Sequence, residues 1–209
     1  MADWNAVVFT DEKKWNLAGP DGFYTCLVES KRNVNFSRIE GVRGGLMVWG
    51  AIAASGPIVL VPVEGRLNSE KYIELIEKNL FSNISSLECP FPANSIFQQD
   101  NAPCHASQKT FKWLENSNIE TLPWPPQSPD LSPIEDVWGL LTQRVYKGGI
   151  TFKNKKDLWA KVKSEWDKLT AVDMAPLYDS MHKRMLDVLQ KQGKQINYSS
   201  ISERQEPIF

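Results

Sequence analysis

A chain of 209 residues, 42% hydrophobic and 23% charged, is long enough for one domain with a sizeable core. Its net charge of −1 excludes a globally basic nucleic-acid binder, so any DNA contact must use a local basic surface. Three cysteines (Cys26, Cys89, Cys104), with only His105 and His182 to join them, make neither a disulfide framework nor a zinc pattern and read as reduced thiols. No apolar run approaches the ~20 residues of a membrane span, and no signal peptide precedes Asp3, so a soluble cytosolic or nuclear protein is expected.

In chain order, residues 5–11 read as a buried strand, because Ala6 to Phe9 are continuously apolar, with Asp11 at its C-terminal end. Residues 17–44 read as an excursion or hairpin, with a strand over Phe23–Val28. Leu46–Ala54 and Ile58–Val63 form a hairpin around Ser55-Gly56-Pro57. Asn68 or Ser69 caps a helix to about Phe81, with Tyr72, Ile73, Leu75, Ile76 and Leu80 as its apolar stripe. Glu88–Asn94 is a loop.

Ser95–Gln99 is a short strand that delivers Asp100, Ala106–Asn116 a helix, and Ile119–Leu122 a further strand. The prolines of 123–129 lack donors and fix φ, which makes this stretch a stiff connector. It ends where Asp130 or Ser132 caps a helix from Pro133 to Tyr146, stopped by Gly148-Gly149. Two amphipathic helices, near 153–170 and 173–192, precede a polar, loose tail over 195–209. Strands first, then alternation, then helices give a mixed α/β domain around one central sheet.

Three carboxylates stand out. Asp11 shares strand parity with Val7 and Phe9, whereas Glu12 falls on the opposite face or in the turn. Asp100 is the one acid of its neighbourhood, and 34 residues separate it from Glu135. At about 100° per residue, Ile134, Val137, Trp138, Leu141 and Val145 share a helix face. Glu135 lies at the border of that face, and Asp136 points away as a solvated residue near the helix N-terminus. Asp130 suits a turn or cap. Oxygen ligands of this kind fit Mg²⁺ or Mn²⁺, and two such ions support in-line phosphoryl displacement without a covalent protein intermediate.

Four phrases sharpen this reading: Phe9-Thr10-Asp11-Glu12, Gly44-Gly45-Leu46-Met47-Val48-Trp49-Gly50, Gln98-Gln99-Asp100-Asn101-Ala102-Pro103-Cys104-His105 and Ser128-Pro129-Asp130-Leu131-Ser132-Pro133-Ile134-Glu135. Together they resemble the catalytic domain of mariner-superfamily cut-and-paste DNA transposases. The nearer branch is the nematode type, whose third acid is Glu after a 34-residue gap. The resemblance implies a ribonuclease H-like fold: a central mixed five-stranded sheet flanked by helices, with extra C-terminal helices. It implies that Asp11, Asp100 and Glu135 are both catalytic residues and ligands of two Mg²⁺ ions, with Mn²⁺ able to substitute. It further implies hydrolysis at transposon ends and transfer of the 3′-hydroxyl into target DNA at TA sites. The implied partners are the inverted-repeat ends, target DNA and, in the full-length protein, a second copy; the implied location is the nucleus.

Family members carry N-terminal helix-turn-helix modules, and this chain starts almost at the first catalytic strand. The expectation is therefore one catalytic domain over 1–209 without those modules. In related enzymes, the excursion that 17–44 resembles in position, though not in sequence, can reach across to a second subunit.

Asn101 and His105 read either as supports of the metal ligands or as caps of the next helix. Lys13, Lys14 and Arg43, together with Lys31, Arg32 and Arg38, read either as phosphate contacts or as a solvated face. Lys153, Lys155, Lys156, Lys161 and Lys163 pose the same choice. Trp124, set among prolines, is the tryptophan given a DNA or partner role; Trp49, Trp113, Trp138, Trp159 and Trp166 read as core, and His182 as surface. Two alternatives stay open: a ribonuclease H-like nuclease without strand transfer, and a domesticated non-catalytic DNA-binding module.

Overall fold

The computed structural model describes residues 3–20, 44–81 and 94–191. The expected strand over Phe23–Val28, most of the 17–44 excursion, the 195–209 tail, Arg43, Cys26, Cys89 and all of the Glu88–Asn94 loop but Asn94 lie outside these residues.

After a short 3-10 turn over Trp4–Ala6, the first strand runs over Val7–Asn16 (β1), longer than its apolar run predicts. It extends because it pairs antiparallel with Gly45–Ala53 (β2) from Phe9↔Ile52 to Asn16↔Gly45, and Trp15 near its end is buried. Asp11 therefore lies in mid-strand rather than at its end. β2 turns back into Gly56–Val63 (β3), the predicted hairpin. Helix α1 (Ser69–Ile76) starts where Asn68 Oδ1 accepts the Lys71 N–H at 2.9 Å, and a π turn continues it to Phe81. A three-residue strand, Ile96–Gln98 (β4), pairs parallel with β1, and α2 (Gln108–Asn116) follows under a Ser107 cap.

The described sheet has four strands, in the order β3-β2-β1-β4. The fifth strand expected over 119–122 shrinks to one parallel bridge, Phe97↔Thr121. Asn118 at φ 52° and Pro123, which has no N–H, bound it too closely for a longer ladder.

A 3-10 turn over Pro129–Leu131 leads into α3 (Pro133–Val145). Ser132 is its N-cap residue but makes no side-chain cap, and Asp130 stays in the preceding turn. Three helices follow instead of two: α4 (Lys155–Trp166), α5 (Ala171–Asp179) and α6 (Met181–Gln190). The second predicted helix is divided at Ser180 into α5 and α6.

Strand parity sorts the core into two layers. Val7, Phe9 and Trp15 of β1 pack with Ile134, Trp138 and Leu141 of α3 and with the helices after it. Val8 of β1 packs with Trp49 of β2, Tyr72 and Ile76 of α1, and Leu114 of α2. Tyr178 of α5 ties one layer to the sheet, its hydroxyl 3.1 Å from the carbonyls of both Val7 and Ile52. Among the described residues, no helix is long and apolar enough to cross a membrane.

Candidate active site

Asp11, Asp100 and Glu135 come from β1, the end of β4 and the first turn of α3, and all three line one cleft of about 430 Å³. The sheet register explains how: β1 and β4 are parallel neighbours with Phe9 opposite Gln98, so Asp11 and Asp100 come level two residues further on, and α3 packs across β1 on the Asp11 side. Among the described residues, no three His, Cys, Asp or Glu side chains converge tightly enough to enclose one ion by themselves. The acids surround the cleft rather than meeting at a point.

Asp11 is fixed by a neutral donor. Trp138 Nε1 donates to Asp11 Oδ2 at 2.8 Å, although Trp138 is otherwise a fully buried core residue. The indole can lie there because Gly50 is the cross-strand partner of Asp11; a Cβ on Gly50 would sit 2.7 Å from Trp138 Cη2. Burial raises the Asp11 carboxyl to about 7, the negative charge of Glu135 adds to this, the Trp138 bond opposes it, and Glu12 contributes a further rise. Glu135 is likewise raised, first by its protein surroundings, with Lys13 partly opposing and Asp136 adding. Its side chain opens to the cleft and takes no hydrogen bond from the described residues.

Asp100 is held differently. Its Oδ1 accepts the Ala102 N–H at 2.9 Å and lies 2.6 Å from His105 Nδ1. His105, only 2% exposed, also places Nε2 3.3 Å from Glu12 Oε1. Burial alone would lower the imidazole, but the bonds to Asp100 and Glu12 outweigh it and push it up to about 10. His105 is thus an imidazolium that donates from both nitrogens, and its bond holds the Asp100 carboxyl below its ordinary value. The Tyr72 ring lies 4.1 Å from the imidazole, centroid to centroid, with its hydroxyl donating to Gln99 Oε1 at 2.7 Å. His105 therefore does not cap α2, which Ser107 does.

Glu12 is the contributor that sequence reasoning left out. Its parity with Val8 placed it on the α1 side, but nothing local revealed that His105 would arrive there. Asn101 also has a defined place: its Nδ2 donates to the Trp124 carbonyl at 2.9 Å, tying the proline-rich connector to the segment after β4. Trp124 is half-buried, edge-on to Phe9, and forms a wall of the cleft.

Asp136 overturns an expectation. It is not solvated: its side chain is 12% exposed and ion-paired with the buried Arg184 of α6. Lys13 is half-buried beside Glu135, and Lys14 is exposed. Lys161 is paired with Glu165 inside α4 and Lys163 with Asp167 at its C-cap, which favours a charged helix face over a phosphate site. His182 is exposed, as expected.

A four-stranded mixed sheet with helices on both faces, and acids delivered to one edge by β1, β4 and α3, is a ribonuclease H-like domain with an acidic cleft. Residues 6–167 match the family described as DDE superfamily endonuclease, and the chain belongs to that family. It is 34% identical over 197 residues to the Tc3 transposase of Caenorhabditis elegans, covering 94% of this chain and 59% of the relative. With the Tc1 transposase of Caenorhabditis elegans it shares 28% over 204 residues, covering 94% and 71%. The chain thus spans about three fifths of the length of the Tc3 transposase. Among solved structures, the catalytic domain of Mos1 mariner transposase superposes with a TM-score of 0.71 at 18% identity, covering 93% of this chain and 85% of that one. The Mos1 paired end complex with Mg gives 0.77 at 18% identity, covering 94% and 58%.

Proposed function

We propose that this chain is the catalytic domain of a cut-and-paste DNA transposase. It would hydrolyse phosphodiester bonds at transposon ends and transfer the freed 3′-hydroxyl into target DNA, at TA sites. The observation that carries the proposal is the joining of Asp11, Asp100 and Glu135 around one cleft, from three elements distant in sequence. The transposase relatives and the Mos1 complexes, which include a paired-end complex with Mn and a strand transfer complex, support the same reading. Transposon ends, target DNA and a second copy of the full-length protein are the partners this activity calls for, and chromosomal DNA would place it in the nucleus.

The donor set suits divalent metal. Burial raises the carboxyls of both Asp11 and Glu135, and the charge of Glu135 adds to the rise at Asp11, an unfavourable accumulation that a divalent cation would relieve. All three donors are carboxylate oxygens, the choice of hard ions such as Mg²⁺ and Mn²⁺. An open arrangement leaves coordination positions for water and for the scissile phosphate. When bound, two ions would activate a water or a 3′-hydroxyl and stabilise the leaving oxygen.

The protein's own part is orientation. Trp138 fixes one oxygen of Asp11, and His105 fixes Oδ1 of Asp100, so each carboxylate offers its remaining oxygen in a set direction. Trp124 and the prolines beside it form an apolar wall that narrows the approach of the substrate to these oxygens.

The test is cleavage of a labelled duplex in Mn²⁺ by the wild type, Asp100→Ala and Glu135→Ala, followed by strand transfer from a pre-cut end. Metal-dependent nicking lost in both variants, with joining by the wild type, is the expected result. Nicking that survives either substitution would overturn the proposal, and nicking without joining would leave a nuclease.

A further inference from the structure

The family match ends at residue 167, yet a residue beyond it reaches back to the segment that carries Glu135. Arg184 of α6 is a buried cation, its side chain 3% exposed. Its Nη2 pairs with Asp136 Oδ2, its Nη1 donates to the Asp130 carbonyl at 3.1 Å, and its Nε donates to Ser180 Oγ at 2.9 Å. Two of these contacts span the point at which the chain passes from the 3-10 turn over Pro129–Leu131 into α3. Asp130 lies before that junction and Asp136 after it, with Ser132 between them making no side-chain cap. The planar guanidinium therefore adds, from a distant helix, a side-chain restraint to a junction that has local backbone bonds but no Ser132 cap.

Glu135 neighbours Asp136 in the same first turn of α3, and Pro129 and Ser132 border the cleft. Whatever fixes the junction also fixes where the Glu135 carboxylate enters the cleft. We propose that Arg184 is a positioning residue of the active site, which staples the start of α3 to the turn before it and so sets the reach of Glu135. Helix α6, the last among the described residues, on this account helps to position the active site. The inference rests on the reading of Glu135 as a metal ligand for its functional consequence, but the staple itself is testable without metal.

Arg184→Met alone strands Asp136 as a buried unpaired charge and threatens folding. The decisive variant is the double substitution Arg184→Met/Asp136→Leu, which replaces the pair with apolar side chains of similar bulk. Two measurements on the 209-residue chain separate the possibilities. In metal-free protein, amide exchange at Glu135, whose N–H bonds the Ser132 carbonyl at 3.1 Å, should rise roughly tenfold in the double variant, while the second half of α3 stays protected. In a Mn²⁺ titration, the folded double variant should bind about 10- to 100-fold more weakly than the wild type. Arg184→Lys, which keeps the charge but not the two-pronged reach, should fall between them.

Unchanged exchange at Glu135 in the double variant would overturn the staple. Faster exchange with unchanged Mn²⁺ affinity would overturn its role in positioning. The Glu135→Gln variant measured beside them keeps the two readings apart: if it binds Mn²⁺ as the wild type does, the ligand assignment fails, and exchange alone decides on Arg184.

Discussion

The two sides of β1 treat neighbouring carboxylates in opposite ways. On the α3 side, burial and the charge of Glu135 push the Asp11 carboxyl up to about 7, and the uncharged Trp138 indole that holds it opposes this rise only in part. On the α1 side, Glu12 meets a buried His105 that also holds Asp100, and the imidazolium compensates both acids. One side is satisfied by the fold; the other is left with repulsion that the fold does not relieve. Repulsion of this kind is stability given up for a site, which is where a cation would be expected to bind.

The strongest test of this contrast is Asp11→Asn. It should lower nicking by at least about 10²-fold and yet stabilise the metal-free protein at pH 8 by about 1–3 kcal/mol. Because the folded-state pKa of Asp11 is raised, its favourable contribution is complete below the ordinary carboxyl value of 3.8 and is lost as the pH rises through about 7. The gain in the Asn variant should therefore shrink steadily in melts at lower pH.

On the other side of the strand, His105→Ala should destabilise by about 2–4 kcal/mol, because it leaves Glu12 without its buried cationic partner. It should also weaken Mn²⁺ binding by about 10- to 100-fold through the freed Asp100. The raised imidazole stabilises the fold fully below its ordinary 6.5, and this contribution is lost as the pH climbs through about 10. Alkaline melts of the wild type, but not of the variant, should show that loss.

A smaller effect is expected for Gly50→Ala, about 1–3 kcal/mol in urea unfolding, because its Cβ collides with the buried Trp138 ring. Displacing that ring should also reduce nicking, since it carries the donor to Asp11. At the small end, Lys161→Ala breaks an intrahelical pair far from the contrast and should cost no more than about 0.5 kcal/mol.

Periodicity and local signals along the chain were enough to place Asp11 and Glu12 on opposite faces, and to find the β2–β3 hairpin, the Asn68 cap and the start of α3 at Pro133. What it could not reach are contacts across the fold. Asp136 seemed solvated because its partner, Arg184, is 48 residues away on another helix. Glu12 seemed idle because His105 is 93 residues away and approaches only once β1 and β4 pair. Trp138 was rightly assigned to the core, but one indole edge can be core while its N–H serves a carboxylate, and side-chain periodicity does not distinguish the two. The shortened fifth strand is a further case, in which Pro123 acted locally on a run whose hydrophobic pattern continued.

The central claim is that Asp11, Asp100 and Glu135 act together on divalent metal, and calorimetric titration of Mn²⁺ tests it most directly. The wild type should bind Mn²⁺, and Asp11→Asn, Asp100→Asn and Glu135→Gln should each bind far more weakly while remaining folded. A wild type that binds no Mn²⁺, or any one of these variants binding it undiminished, would contradict the account.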